Sequence, residues 1–469
     1  MSTHTRSVAF ATLGCKLNQF ETDSLATQFR DAGYRIAAFE EPADVYVINT
    51  CTVTNRADRK SRNLLYRAHR NGDLRRAEAE PTGAPLVVVT GCYVNGRRDE
   101  LEADGSTYFV PNEQKQSIPA LVDGHFRGEV VHPTGSVFDF PLPDRIFHTR
   151  SIVKVQDGCD NFCTFCIIPH VRGRATSRPW PEVVRSVREA VAGGAREVVL
   201  TGVNMSRYAN DGVDFAELVA RCLNIEAHAP DVHGGPADFR LRISSLEPDR
   251  LTDRFIALFD HPRMVPHLHL CLQSASERVL LAMRRRYTFK RYAELALALR
   301  ERDPLFNLTT DLIVGFPGET DAELEESLRA IESIGFGHVH TFPYSLRKGT
   351  RAERMDGHLP ARVKTDRSAL VRETAERTKR RYRTRLIGTT ERMLVERAER
   401  IGRTLRLTGL GEHYVPIVVD VPLEDGRSDD APPLSGASRY ENRFVSVRIS
   451  SIADGTDPPL LADLVEPIA

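Results

Sequence analysis

The sequence predicts an α/β protein in three parts: an N-terminal parallel-sheet domain over residues 1–140, a central partial (β/α)6 barrel over 145–385, and a small C-terminal β-barrel over 386–469. Three observations carry this. Strand-like apolar runs alternate with helical stretches through the first two parts, the pattern of parallel sheets covered by helices. In the centre the strand–helix unit recurs six times, as a barrel requires. Beyond residue 386 the helical periodicity gives way to short β-like runs.

The N-terminal part repeats one arrangement three times. A strand over 8–12 leads through Leu13-Gly14 to Cys15 and a helical stretch over 18–32. A strand over 45–48 leads through Asn49-Thr50 to Cys51 and a helix over 55–69. A strand over 86–89 leads through Thr90-Gly91 to Cys92 and a short helix. Ligands of parallel sheets bind at the carboxyl ends of the strands, where all three cysteines fall. Three unrelated core cysteines are the alternative, but three in register favour one three-thiol site able to hold a second iron–sulfur cluster. The helix from 55 carries Arg56, Arg59, Lys60, Arg62, Arg67 and Arg70, a solvated face or a set of phosphate contacts. A Pro-rich connector, Phe140-Pro141-Leu142-Pro143-Asp144, ends this part.

The central strands are expected near 152–155, 197–201, 239–243, 267–272, 308–314 and 338–343, with helices near 181–193, 214–223, 249–260, 276–300 and 321–334. Cys159, Cys163 and Cys166 follow the first strand, with three and then two residues between them. Three thiolates on one loop can hold three irons of a cubane and leave the fourth open to an organic ligand. A zinc loop is the alternative, but zinc needs a fourth protein ligand; no cysteine or histidine pair follows at zinc-ribbon spacing, although His170 is near. Barrel sites lie at the C-terminal strand ends. Those ends offer Thr201, Asn204, Ser245, Glu247 and Gln273 as candidate cofactor contacts, and the glycines of the Gly315–Glu319 turn allow close backbone approach. Taken singly, each could be a turn or cap residue; Glu319 could serve the N-terminus of the next helix. Arg172 and Arg174 are candidates for a carboxylate or phosphate, or plain surface arginines. Cys222, Cys271 and Trp180 read as packing residues.

The C-terminal part opens with a charged helix over 361–386, basic from Arg377 to Arg385. β-like runs follow over 392–396, 404–407, 414–421 and 444–450, with a polar loop over 423–442. A basic segment beside a small barrel fits an RNA-binding appendage or a structural cap.

Lys+Arg and Asp+Glu balance at 64 each, so net charge does not select a partner. The polar N-terminus has no signal-peptide core, and no apolar run approaches the roughly 18 residues of a membrane span. Eight cysteines in 469 residues do not form a disulfide framework; a cytoplasmic protein without membrane partners is expected.

Together these motifs resemble the radical S-adenosylmethionine (SAM) methylthiotransferases, over essentially the whole chain. That family combines an N-terminal cluster domain, a radical SAM barrel and a C-terminal TRAM barrel that binds RNA. The run Thr12-Leu-Gly-Cys-Lys-Leu-Asn-Gln-Phe-Glu-Thr22 looks most like the branch acting on N6-threonylcarbamoyladenosine in tRNA, as do Cys271-Leu-Gln-Ser-Ala-Ser276 and Met283-Arg-Arg-Arg-Tyr-Thr288. Arg286 stands where the last of these runs commonly has Lys, which keeps the charge but not the geometry. The resemblance implies two [4Fe-4S] clusters, one on Cys159, Cys163 and Cys166 that cleaves SAM, and one on Cys15, Cys51 and Cys92 that carries the sulfur. It implies that a methylthio group replaces the C2 hydrogen of an adenosine beside the anticodon, with external electron and sulfur donors. Arg285 and Arg286 are expected to meet the threonylcarbamoyl carboxylate. The alternatives are the same reaction on isopentenyladenosine or on a ribosomal-protein aspartate, different radical chemistry whose extra cluster only relays electrons, and a non-enzymatic RNA-binding protein with structural metals.

Overall fold

A computed structural model describes residues 5–78, 85–143, 149–227, 237–423, 439–455 and 457–465. The N-terminal sheet has five parallel strands in the order Arg35–Ala37, Ser7–Thr12, Val45–Thr50, Leu86–Gly91 and Thr107–Val110. Its middle strands are buried on both faces. Val45 and Val47 pack into one apolar layer, Tyr46 and Ile48 into the other, so these runs are continuously apolar. The two edge strands and the helix Ile118–Arg127 are absent from the sequence expectation. The strands are only three and four residues long, too short for a periodic signal.

The central domain forms a curved sheet of parallel strands. Ser151–Lys154, Glu197–Thr201 and Arg240–Ile243 pair on one side; Ser245–Leu246, which continues the third strand after Ser244, His267–Leu270, Asn307–Val314 and His338–Pro343 pair in that order on the other, making six strands in all. The six expected strands are all present. Leu268, Leu270 and Leu272 point outward under the helices. Side chains alternate along a strand, so His267, His269, Cys271 and Gln273 face the lumen. The single helix expected over 276–300 is two, Glu277–Ala282 and Phe289–Arg302. Arg284 adopts a left-handed φ of 57°, and the Thr288 side chain caps the second helix by accepting from Arg291 N. The helix expected over 249–260 shortens to Asp253–Ala257, started by Thr252.

The helix Ala361–Arg385 lies against the last barrel strand and the helix Asp321–Ile334. It leads into a closed barrel of Thr390–Ile401, Thr404–Leu410, Pro416–Pro422, Leu460–Leu464 and Phe444–Ile452. The fifth strand, Leu460–Leu464, is an addition to the expected four. Most of the expected loop over 423–442 lies outside the described residues, as does Asp144 of the connector. The basic run of the long helix is largely engaged within the chain. Arg377 pairs with Glu332 at 3.1 Å, Lys379 and Arg383 with Asp457 at 3.1 and 2.7 Å, and Arg385 donates to Pro304 O. Among the described residues no helix is long and apolar enough to cross a membrane.

Candidate active site

Strand register brings the N-terminal cysteines together. Thr50 pairs with Gly91 across neighbouring strands, so Cys51 and Cys92, the next residues, leave the sheet side by side. Thr12 pairs with Asn49, and Cys15 follows as N-cap of the helix Lys16–Asp31. Gly14, with φ 111°, passes so close that a Cβ there would sit 3.1 Å from Cys51 Cβ and 3.4 Å from its Sγ. Gly91, with φ 103°, has no room for a Cβ against the Thr50 backbone. Cys15 is open to solvent, yet its sulfur is surrounded by protein. Burial raises its thiol pKa, Arg172 and Asn18 oppose the rise, and Cys92 adds to it. Burial, with Cys92 and Cys15 nearby, pushes Cys51 up to about 11. Cys15 and Cys51, thiols that titrate this poorly, are relieved when a metal displaces their protons, and the three-thiol donor set suits three irons of a cubane.

The second set lies on the loop after the first barrel strand. Phe162 takes a positive φ of 46°, folding the loop back so that Cys166 N donates to Cys163 O. Asn161 N and Asn204 Nδ2 approach Cys159 Sγ at 3.5 and 3.7 Å. Arg285 donates to Cys163 Sγ at 3.2 Å. Burial beside Cys163 and Cys159 pushes the Cys166 thiol up to about 12. Here too the donors fit an iron–sulfur cubane, with N–H groups aimed at sulfur as thiolate ligation favours. His170 is solvent-exposed, with its ring against Phe162.

A buried charge network joins the two sets. Arg172 reaches Asp157 at 2.9 Å, Glu21 at 3.2 Å and Asn18 at 2.6 Å. Lys154 reaches Glu21 at 3.0 Å and Asp157 at 2.6 Å, and Lys115 pairs with Glu21 and Asn49. Three cations against two carboxylates leave a net positive charge beside Cys15, and Arg172 among them opposes the rise that burial imposes on that thiol. Arg172 is thus neither a surface residue nor positioned for a cofactor or RNA; Arg174 is the exposed one, pairing with Asp160 at 2.7 Å. On the other side of the lumen Arg347 reaches Asp58 at 2.9 Å and Thr52 at 2.7 Å. Lys154 ends the first barrel strand and Arg347 follows the last. The N-terminal domain therefore straddles the open edge of the partial barrel.

The chamber so enclosed is polar. Thr201 is buried and accepts from Ser244 Oγ at 3.3 Å; Asn204 accepts from Ser206 Oγ at 2.8 Å. Ser245 is half-buried on its short strand, and Gln273 takes a left-handed φ of 68°. Glu247 forms an ion pair with Arg285, which also contacts Tyr287. Arg285 thereby braces the cysteine loop, while Arg286 is solvent-exposed. Cys222 packs in the core. Cys271 does not: its sulfur faces the lumen, where it, His269 and Asp311 offer ligand atoms within 4.8 Å of one another. Glu319 is not the cap of its helix. Thr320 and Glu323 form that capping box, and Glu319 instead accepts from Gly315 N at 2.6 Å and pairs with Arg367 at 2.7 Å. Trp180 packs on the core under Arg221.

The C-terminal barrel closes the end of the lumen where the strands begin. Arg240 donates to Arg392 O and Leu410 O at 2.7 and 3.0 Å, and Asn307 Nδ2 to His413 O at 2.6 Å. Tyr414, at a positive φ of 59°, stacks near His267 with ring centroids 4.6 Å apart. The sequence did not single out Lys16, Arg150 or Tyr414 as site residues. Only Lys16 carried a signal, its place directly after Cys15.

A curved six-stranded parallel sheet with a three-cysteine loop after its first strand defines a radical SAM enzyme. Residues 153–331 match the Radical SAM superfamily model, and residues 7–110 match one described as Uncharacterized protein family UPF0004. A solved radical S-adenosylmethionine methyltransferase, TsrM from Kitasatospora setae, shares this fold with a TM-score of 0.51 over 72% of this chain and 75% of its own, at 14% identity. Threonylcarbamoyladenosine tRNA methylthiotransferase MtaB of Bacillus subtilis is 38% identical over 77% of this chain and 78% of its own length. Its Thermotoga maritima counterpart is 34% identical over 87% and 90%. A tRNA-2-methylthio-N(6)-dimethylallyladenosine synthase of Novosphingobium aromaticivorans is 32% identical over 82% and 85%. The chain belongs to the MtaB-type radical SAM methylthiotransferases.

Proposed function

We propose that this enzyme converts N6-threonylcarbamoyladenosine at position 37 of tRNA, beside the anticodon, to its 2-methylthio derivative, working in the cytoplasm with external electron and sulfur donors. The observation that carries the reading is the pair of three-cysteine sets joined by one buried charge network, together with five relatives named for this reaction. Cys159, Cys163 and Cys166 would hold a [4Fe-4S] cluster, and Cys15, Cys51 and Cys92 a second. When bound, an open-iron cluster with SAM supplies the radical chemistry that an unactivated C–H bond demands and acid–base side chains cannot provide.

The chain's own residues orient and shield. Asn204 and Arg285 direct N–H groups at the sulfurs of Cys159 and Cys163. Thr201, Ser245, Glu247 and Gln273 stand at the strand ends around it, where a nucleoside cofactor would lie. The Arg172–Glu21–Lys154 network fixes the spacing of the two sets. The exposed residues Arg59, Arg62, Tyr66 and Arg70 share one face of the helix Asn55–Glu78, which begins beside Cys51. That face supplies phosphate contacts for a loop whose unstacked base enters the chamber.

Mass spectrometry of tRNA nucleosides from the source cell, with and without the gene, tests this. Loss of the 2-methylthio threonylcarbamoyl nucleoside, with its precursor accumulating, is the expected result. Loss of the isopentenyl counterpart would reassign the substrate, and no change in either would overturn the reading.

A further inference from the structure

Lys16 directly follows Cys15 and opens the helix Lys16–Asp31. Its ammonium lies 5.2 Å from the Tyr414 ring centroid, with Arg150, Arg242, His267 and His340 as its electrostatic neighbours. The arginines around the chamber, by contrast, each contact a carboxylate. Arg150 holds Glu396 at 2.9 Å, Arg242 holds Glu197 at 2.8 Å, Arg172 holds Asp157 at 2.9 Å, and Arg285 holds Glu247. Among the described residues no carboxylate stands within ion-pair distance of Lys16. A cation enclosed in a chamber without an anion is a receptor for one, because a partly desolvated charge is stabilised by a charge-assisted hydrogen bond.

The substrate's covalent structure says which anion would arrive. On adenine, N6 and C2 flank the same ring atom, N1. Any pose that brings C2 to the Cys15–Cys51–Cys92 site also brings the N6 arm to the residues beside those cysteines. In threonylcarbamoyladenosine that arm ends in a carboxylate; in isopentenyladenosine it ends in methyl groups.

We propose that Lys16 is the specificity residue of this enzyme and that its ammonium receives the threonyl carboxylate, seated over the Tyr414 ring. This rests on the substrate reading above. An apolar arm would leave the Lys16 charge facing hydrocarbon, so the same group that attracts one substrate rejects the other.

The test measures anaerobic binding of anticodon stem-loops by fluorescence anisotropy, using full-length protein without SAM. The loops carry threonylcarbamoyladenosine, its threonyl carboxamide, isopentenyladenosine or plain adenosine at the target position. The variants are Lys16→Met, neutral and similar in length, and Lys16→Arg. Wild type should prefer the carboxylate loop. Lys16→Met should lose roughly tenfold to a hundredfold of that preference, the range for one charge-assisted contact, with plain-adenosine binding unchanged. Lys16→Arg should keep most of it. The carboxamide loop should cost wild type the same factor and cost Lys16→Met nothing further, a cycle that isolates the contact from any general damage. A Lys16→Met variant with full preference, or a carboxamide loop that binds wild type as well as the acid, overturns the proposal. A wild type that does not distinguish threonylcarbamoyladenosine from plain adenosine overturns the substrate reading itself, and Lys16 with it.

Discussion

Arg172 grips Glu21 with both terminal nitrogens, each 3.2 Å from a different carboxylate oxygen. Each of the two stands six residues beyond a cysteine, Glu21 after Cys15 and Arg172 after Cys166. One bidentate pair therefore measures the distance between the two candidate cluster sites, across 151 residues of chain. Glu21→Gln leaves Lys115, Lys154 and Arg172 with Asp157 as their one carboxylate in the network. Removing one member of a buried ion network costs about 3–5 kcal/mol. Urea unfolding should show that loss, and iron bound at Cys15, Cys51 and Cys92 should fall with it.

Cys51→Ala should separate the two chemistries. Iron per chain should fall from roughly eight to roughly four. SAM cleavage to 5′-deoxyadenosine should persist, and methylthiolated tRNA should vanish. Cys163→Ala should abolish SAM cleavage as well. Anaerobic iron and sulfide assays with product chromatography check both, and a Cys51→Ala enzyme that still transfers sulfur would disprove the division of labour.

Gly14→Ala places a methyl group against Cys51 at a φ that L-residues avoid. A stability loss of roughly 1–3 kcal/mol is expected, with the damage confined to the N-terminal cysteine site. Thermal melts with iron analysis will show it.

His413 links the C-terminal barrel to the central domain, contacting Glu391 and, at 3.2 Å, Asp303. Burial alone would depress its pKa, but hydrogen bonds to Asp303 and Glu391 raise it to about 9. The folded value lies above the unfolded one of about 6.5, so the contribution is full below pH about 6.5 and disappears as pH rises through about 9. It amounts to at most about 3 kcal/mol. Unfolding midpoints should fall across that window in wild type and much less in His413→Asn.

Charge on the helix Asn55–Glu78 should govern tRNA affinity. Arg59→Ala with Arg62→Ala removes two exposed cations. The slope of log affinity against log salt should become shallower by about 1–2, with the preference among modified bases unchanged. An unaltered slope would place the RNA elsewhere.

Strand ends were the legible part of the site. Cys51 and Cys92 announce themselves because an apolar run stops just before each, and periodicity marks where a strand stops. The expected bounds of Glu197–Thr201, His338–Pro343 and Asp321–Ile334 match the fold for the same reason. What resists reading is partnership over long separation. Nothing local says that Arg172 is buried, because its burial depends on Glu21 and Asp157 arriving from elsewhere. Tyr414 sits in a run that reads simply as β. Glu319 looks like a cap until Thr320 and Glu323 are seen to fill that role, and Arg285 looks like a free charge until Glu247 meets it.

The pairing of Thr50 with Gly91 has a consequence for quality control during folding. Alternate residues of a strand point to opposite faces, so a slip of one place would send Cys51 and Cys92 apart while leaving helix content and compactness nearly intact. A misaligned sheet would pass most optical tests of foldedness, yet its thiols could not converge. Metal uptake would thus act as a proofreader of alignment, and iron content would be a sharper gauge of correct assembly than circular dichroism.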